Sequence, residues 1–236
     1  MTTTPLARRQ LLAEFLGTAF LVAIVVGSGI AAERLSPNDT GLQLLENTTA
    51  TAAGLVALIM AFGSVSGAHF NPVVTLADRL LGDLSTRDAA AYVVVQAAGG
   101  CLGAVVANLM FDLDAVTLST QTRSSSGLWL GEVVATLGLV LVIFGVVRSG
   151  RSWAAPFAVG GYIGAAYWFT SSISFANPAV TAARTLTDTF AGIDPSSAPA
   201  FVAAQLAGAL AAAGLARYLW PDLPATAVVV PHERAA

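Results

Sequence analysis

Two Asn-Pro dipeptides, Asn71-Pro72 and Asn177-Pro178, are the residues whose types and spacing point most directly to chemistry. Asparagine is a favoured N-cap and proline a favoured first helical residue, so each dipeptide predicts the start of a helix. Each follows a polar segment, SVSGAHF in the first case and TSSISFA in the second. A helix N-terminus carries unsatisfied N–H groups and about half a positive charge, so the pair predicts a site that repels cations and hydrogen-bonds neutral molecules.

Apart from these dipeptides, the sequence offers little reactive chemistry. It contains two histidines, His69 and His232, and one cysteine, Cys101, so neither an intrachain disulfide nor a Cys or His metal site is expected. It has no phosphate-binding loop, Ser-His-Asp set or dinucleotide fingerprint. The net charge of −3 at pH 7 gives no broad basic patch for nucleic acid. We therefore predict a protein that is not an enzyme, uses no cofactor or metal and binds no nucleic acid.

Charged residues are scarce, and their positions divide the chain into apolar segments. Of 236 residues, 11 are Arg, 14 are Asp or Glu and none is Lys, while 56% are hydrophobic. A soluble domain of this size needs many more surface charges, so the composition predicts an integral membrane protein. Six long stretches lack charge except for one glutamate in two of them: 10–32, 47–77, 89–111, 124–147, 152–183 and 195–216. A bilayer core of ~30 Å needs about 20 helical residues, so each stretch predicts at least one spanning helix.

Two of these stretches, 47–77 and 152–183, are too long for one span. As straight helices they would be about 46 and 48 Å long, and each contains an Asn-Pro that should interrupt the helix. We predict for each a spanning helix, a re-entrant loop and a short half-helix that starts at the proline. Non-helical backbone at membrane depth is tolerated only where it borders a buried or water-filled cavity, so the two loops predict the walls of a pore.

The order of long and short stretches is the same in two halves, 10–111 and 124–220, which predicts a duplication. The two halves share landmarks at corresponding places: Glu14 with Glu132, Asn71 with Asn177, and Gln96 with Gln205. Three spans per half is an odd number, so the second half must be inverted relative to the first. We therefore predict one all-α membrane domain with six transmembrane helices and two half-helices that meet at the midplane, an arrangement typical of transport proteins.

Arginine positions predict the orientation. Eight arginines lie on one side of this six-span arrangement and three on the other. The larger set is Arg8, Arg9, Arg79, Arg87, Arg148, Arg151, Arg217 and Arg234, and the smaller set is Arg34, Arg123 and Arg184. The positive-inside rule then predicts a multi-pass protein of the plasma or inner membrane with both termini in the cytoplasm. The alternative, that ARRQLL begins a twin-arginine signal, is disfavoured because the following stretch contains Glu14 and corresponds to an internal span.

The motifs SGAHFNPVVT and SFANPAVT, together with the paired glutamates and glutamines, resemble the aquaporin or major intrinsic protein family over essentially the whole chain. The resemblance implies six tilted helices, two half-helices, a pore in each subunit and a homotetramer. It also implies that Glu14 and Glu132 hold the re-entrant loops by accepting backbone N–H bonds. A proton relay through these two glutamates is the alternative interpretation.

The pore motif departs from the family pattern at two positions. The first motif is Asn71-Pro72-Val73, with valine where alanine is usual, and the second is Asn177-Pro178-Ala179. The next residue is Val180, where most relatives have an arginine in the narrow outer filter. Counting as the family does places the filter at Thr51, Ala165, Ser174 and Val180. Valine in place of arginine removes five donors and a fixed charge, so the resemblance implies a wider pore than that of a water-only channel.

Two further residues are candidates for the pore or its vestibule. Arg184 lies four residues after Val180, so both should share one helix face, and we predict that Arg184 restores positive charge in the outer vestibule. The alternative is a snorkelling arginine or an ion pair with Asp188. His69 is expected at the cytoplasmic half of the pore, as a wall or loop-packing residue or, less favourably, as a gate.

The function predicted from these observations is a passive channel for small uncharged solutes. Its expected partners are the lipid bilayer, water and neutral solutes such as glycerol, other polyols and metalloid acids like arsenite, as in aquaglyceroporin-like and metalloid-permeable bacterial members. A water-selective aquaporin is one alternative. A coupled secondary transporter is another, but it needs ionisable groups near the midplane, and only Glu14 and Glu132 are available there.

Overall fold

The computed structural model describes residues 8–82 and 84–221, and in these ranges the chain forms eight α-helices and no strand. The helices are α1 Arg8–Leu35, α2 Thr40–Ser66, α3 Pro72–Leu81, α4 Thr86–Met110, α5 Ser126–Arg148, α6 Ala155–Phe169, α7 Pro178–Ala183 and α8 Ala198–Leu219. Short 3₁₀ turns at Ser152–Ala154 and Arg184–Leu186 precede α6 and follow α7. The all-α fold predicted from the sequence is confirmed.

The helix lengths separate spanning helices from half-helices. Among the described residues, α1, α2, α4, α5 and α8 are long and apolar enough to cross a membrane. Helix α6 has 15 residues, about 22 Å, and the 3₁₀ turn before it lengthens this sixth predicted span. Helices α3 and α7 have only 10 and 6 residues, and each begins at the proline of its Asn-Pro dipeptide.

The re-entrant loop before Asn71 is shorter than the sequence suggests. Residues 64–66 still belong to α2, which ends where Gly67 adopts a left-handed conformation with φ of 86°. Glycine takes this conformation without steric cost and so commonly terminates helices. Only four residues, 67–70, therefore connect α2 to the N-cap of α3, whereas 170–176 form the longer loop before α7.

Close helix pairs form the frame around the loops. Helix α4 packs on α1 at Gly99 and Gly103, where a Cβ atom would collide with the carbonyl oxygens of Phe15 and Ala19. Helix α8 packs on α5 in the corresponding way, with Gly208 against the carbonyl of Val133. In a bilayer, where burial of apolar surface between helices gains little, such close backbone contact is a main source of helix association.

The half-helices connect the two halves of the chain. Helix α3, from the first half, packs on α8 as well as on α4, and α7, from the second half, packs on α4 and α1 as well as on α8. Each half-helix is therefore held by spanning helices from both halves, and their N-termini are brought together inside the bundle.

Candidate functional site

The two Asn-Pro motifs meet inside the bundle through reciprocal hydrogen bonds. Asn71 Nδ2 donates to the carbonyl of Ala176 at 2.8 Å, and Asn177 Nδ2 donates to the carbonyl of Phe70, also at 2.8 Å. Each side-chain oxygen caps its own half-helix, with Asn71 Oδ1 accepting from Val73 N at 3.0 Å. An amide has two N–H groups, so each asparagine retains one donor for another acceptor.

Glu14 holds the first re-entrant loop. Its carboxylate accepts the backbone N–H groups of His69 at 3.0 Å and Phe70 at 2.8 Å. It also accepts from Ser66 Oγ at 2.6 Å and Gln96 Nε2 at 2.8 Å. A fully buried carboxylate needs several donors of this kind, and here they come from the loop, from the last residue of α2 and from α4.

Glu132 makes corresponding contacts with the second loop. It accepts the backbone N–H groups of Phe175 and Ala176, both at 2.8 Å, and Gln205 Nε2 at 2.6 Å. Neither Glu132 nor Glu14 borders the cavity described below, which gives no support to a proton relay along the pore.

These contacts stabilise backbone conformations that are otherwise unfavourable. Five non-glycine residues of the two loops have positive φ angles: Ala68, Phe70, Ile173, Ser174 and Ala176. Such conformations cost on the order of 1–3 kcal/mol each and persist only where the surroundings hold them. The carbonyls of Phe70 and Ala176 accept the asparagine amides, so these two backbone acceptors are each already engaged in one hydrogen bond.

A cavity extends along both loops and has one polar wall. Seven of the sequence-predicted site residues border it, namely Thr51, His69, Asn71, Ser174, Asn177, Val180 and Arg184. The opposite walls are aliphatic and come from α1, α2, α5 and α6, with Leu21, Val25, Leu55, Ile59, Leu139, Ile143, Val159 and Ile163. The remaining motif residues, Pro72, Val73, Pro178 and Ala179, are the first turns of the half-helices.

Ala165 does not lie at the cavity, and this expected filter position is wrong. Ala165 is exposed on the outer face of α6, whereas Tyr167, two residues later, is buried and borders the cavity. Side chains two positions apart on a helix point about 200° apart, so this small shift in sequence exchanges the inner and outer faces of α6. The helical pattern could have shown it, because Val159, Ile163 and Tyr167 are spaced four apart.

Tyr167 changes the chemistry of the filter. Its hydroxyl approaches Thr51 Oγ1 at 3.4 Å, so a phenol ring rather than a methyl group lines the same cavity as Ser174 and Val180. The residues around this part of the cavity are therefore Thr51, Tyr167, Ser174 and Val180, a set that is more aromatic than the one expected from the sequence.

Arg184 borders the cavity, but its partners differ from the expected ones. Its Cζ atom lies 3.4 Å from the ring centroid of Phe175, and its Nε donates to the carbonyl of Ala191. The alternative ion pair with Asp188 is wrong, because that carboxylate accepts from the backbone N and hydroxyl of Thr120 instead. Only 1% of Arg184 is exposed to solvent.

Phe175 borders the cavity and Arg123 contacts its ring, and neither was predicted from the sequence. Arg123 approaches the Phe175 ring with its Cζ 5.3 Å from the centroid, and its Nε donates to the carbonyl of Gly192 at 2.9 Å. Both arginines therefore contact one aromatic ring at the same end of the cavity. No local signal places Arg123 there, because its contacts with Phe175, Phe190 and Gly192 are with residues far along the chain.

His69 is tightly held at the other end of the cavity. Its Nδ1 lies 3.0 Å from Thr75 Oγ1, its Nε2 lies 3.5 Å from Asp78 Oδ2, and its ring meets that of Tyr92 edge-on. Partners on several sides favour the wall or loop-packing interpretation over a moving gate.

Comparison with known proteins places this architecture in a family. A sequence profile of the family described as Major intrinsic protein matches residues 1–174. This chain belongs to the major intrinsic protein family. Among its relatives, the aquaglyceroporin AqpS of Rhizobium meliloti (strain 1021) is 52% identical over 211 residues, which cover 89% of this chain and 90% of the relative. Aquaporin NIP1-4 of Oryza sativa subsp. japonica is 31% identical over 211 residues, covering 87% of this chain and 74% of the relative.

A solved structure has a similar fold. The X-ray structure of the aquaglyceroporin from Plasmodium falciparum aligns with a TM-score of 0.67 at 20% identity, covering 90% of this chain and 97% of that one. At this identity the comparison shows the fold alone. As a member of the major intrinsic protein family, the chain is a multi-pass membrane channel, with the cavity between its half-helices as the candidate pore.

Proposed function

We propose that the chain is a passive channel for small uncharged solutes, including water, glycerol and other polyols, and metalloid acids such as arsenite. The observation that carries the proposal is the cavity at Val180, which has polar groups on one wall, aliphatic groups on the other and valine where an arginine filter would stand. The 52% identity to a protein named an aquaglyceroporin supports the glycerol assignment.

The wall chemistry suits solutes that carry both hydroxyl and C–H groups. Asn71 and Asn177 each retain an amide N–H, and the hydroxyl of Ser174 has no hydrogen-bond partner. The aliphatic wall and the Tyr167 ring can contact the C–H groups of a polyol without hydrogen-bonding to them. A solute can then exchange its water contacts for wall contacts without tight binding.

Ion selectivity follows from the same wall. Two half-helix N-termini direct their positive ends towards the asparagines, and the described wall of the cavity contains neither Asp nor Glu. A coupled transporter needs a site for its driving cation, and Glu14 and Glu132 are engaged with backbone donors away from the cavity. The passive channel is therefore the favoured function.

The proposal also covers the internal repeat, the oligomeric state and the orientation of the protein in the membrane. The matched contacts of Glu14 and Glu132 support an inverted repeat of residues 10–111 and 124–220. We also propose a homotetramer in the plasma or inner membrane, on the family resemblance, with cytoplasmic termini on the arginine distribution. The terminal residues 1–7 and 222–236, including Arg234, lie outside the described residues.

Stopped-flow measurements on proteoliposomes test the proposed function. We expect water, glycerol and arsenous acid to permeate without an ion gradient. Val180→Arg should reduce glycerol and arsenous acid flux more than water flux, because it places a bulky guanidinium at the filter. Ala165→Leu, a substitution on the outer face of α6, is the matched control and should leave all three unchanged. Permeation of water alone would favour the water-selective alternative, and a requirement for a proton or sodium gradient would favour coupled transport.

A further inference from the structure

We propose that Arg184 and Ser174 form an anion-binding subsite at the Phe175 end of the pore, where a small planar oxyanion such as a carboxylate binds and blocks solute passage. The inference deepens the proposed function, since the block requires that this cavity conducts. It concerns a ligand that regulates the pore rather than the neutral solutes that cross it.

The first observation is an arginine charge without an anionic partner. Arg184 is buried at the cavity wall, its Nε donates to Ala191, and its Nη2 has no hydrogen-bond partner. No carboxylate lies within ion-pair distance of it among the described residues. An unpartnered buried donor on a charged group is costly, so an acceptor that reaches it gains more than it would at an exposed arginine.

The second observation is a further unpartnered donor on the same wall. Ser174 borders the cavity, and its Oγ is buried without a hydrogen-bond partner. Its backbone conformation is set by the loop that Glu132 anchors through the next two residues, Phe175 and Ala176. Because a hydroxyl can donate as well as accept, it can serve a ligand oxygen alongside Arg184.

The surrounding charges also favour an anion. Arg123 also lies near the Phe175 ring, with its Cζ 5.3 Å from the centroid, and its hydrogen bonds are to the neutral oxygens of Gly192, Phe190 and Gln121. The nearby carboxylates are already used, since Asp188 accepts from Thr120 and Glu132 accepts from loop N–H groups.

These groups select the class of ligand. A carboxylate presents two acceptor oxygens and a delocalised charge, which matches guanidinium donors, and charge-assisted hydrogen bonds are the stronger kind. The walls opposite the loops are aliphatic, with Leu21, Val25 and Ile143, so a charged ligand that moved along the pore would gain nothing from them to offset its lost hydration. The anion therefore binds at the Phe175 end and obstructs the pore instead of crossing it.

Formate is the probe, because it is small and almost fully ionised at neutral pH. Water and glycerol fluxes of proteoliposomes are measured against sodium formate, with sodium chloride replacing it at constant ionic strength. We expect formate to inhibit the wild type, and Arg184→Gln to raise the half-inhibitory concentration by about tenfold to hundredfold, the loss typical of one charge-assisted hydrogen bond.

Arg34→Gln is the matched control. It removes the same charge on the same side of the bundle, where Arg34 is exposed and donates to the carbonyl of Phe111. Its half-inhibitory concentration should stay within about twofold of the wild type, because an exposed charge is screened over roughly 8 Å at physiological salt. An equal loss of inhibition in both variants would reject a local site and overturn the proposal.

Two further measurements cover a failure to fold and a failure of channel function. If Arg184→Gln cannot be reconstituted, Ser174→Ala tests the same subsite. This substitution removes only one oxygen atom and should also weaken the inhibition by formate. In detergent, formate should raise the unfolding temperature of the wild type and Arg34→Gln more than that of Ser174→Ala or Arg184→Gln, a readout that needs no flux. A formate response that is absent in the wild type, or equal in wild type and Ser174→Ala, would overturn the subsite.

Discussion

Glu132→Gln tests whether the second re-entrant loop depends on an ionised carboxylate. The structure gives Glu132 only donors as partners, the N–H groups of Phe175 and Ala176 and the amide of Gln205. Glutamine has nearly the same shape but replaces one acceptor oxygen with an NH₂ group. In either amide orientation, at least one loop N–H faces another donor, and the new NH₂ group also lacks an acceptor among these partners.

The expected magnitude follows from counting the donors left unsatisfied. Each buried donor without a partner costs about 1–3 kcal/mol, so two of them should lower the free energy of unfolding by roughly 2–6 kcal/mol. For a chain of this size, the lower value corresponds to a decrease in unfolding temperature of at least about 4 °C. The loop also carries Ser174 and leads to Asn177, so displacement should reduce water and glycerol flux.

Thermal unfolding in detergent and stopped-flow permeability provide the measurement. Glu33→Gln, the same chemical change at a half-buried position of α1, is the control and should behave like the wild type. An unfolding temperature and permeability of Glu132→Gln equal to those of the wild type would refute the reasoning. That result would mean that the carboxyl group is protonated and already donates, or that the loop keeps its conformation without it.

Three further substitutions test other parts of the structure. Tyr167→Ala should increase the flux of polyols larger than glycerol because it removes a ring from the cavity; no gain over the wild type in the same liposome assay would count against Tyr167 as a filter residue. Gly99→Val should destabilise the α1–α4 contact by about 1–3 kcal/mol or more. Gly161→Ala is the control and should be neutral, because a Cβ at Gly161 meets nothing within 4 Å. The unfolding temperatures of the two variants are compared. Asn177→Ala removes the cap of α7 and the hydrogen bond to the Phe70 carbonyl. Loss of the cap alone should lower the free energy of unfolding by about 0.5–2 kcal/mol, and water flux should fall. A fully stable, fully permeable variant would contradict this role.

The helices and half-helices were predictable because local rules determine them. Charge-free stretches long enough to span a bilayer reveal the spanning helices, and Asn-Pro at 71–72 and 177–178 marks the start of each half-helix. Both signals depend on neighbouring residues only, and lipid surroundings leave the backbone few alternatives to a helix.

Contacts between distant segments could not be predicted from local sequence patterns. The filter position on α6 depends on the rotation of that helix about its axis, which decides that Tyr167 rather than Ala165 borders the cavity. Counting residues from a family motif assumes a fixed loop length and cannot detect such a rotation.

The sequence alone therefore determined the apolar spanning segments of this protein, the starts of the re-entrant helices and the absence of an arginine at position 180. Only the tertiary structure decided which side chains meet in the pore. Arg184 illustrates the reason: its nearest carboxylate in sequence, Asp188, turns to Thr120, and the guanidinium stacks on Phe175 instead. The partner of a charged side chain is chosen by packing across the whole fold, which local spacing does not contain.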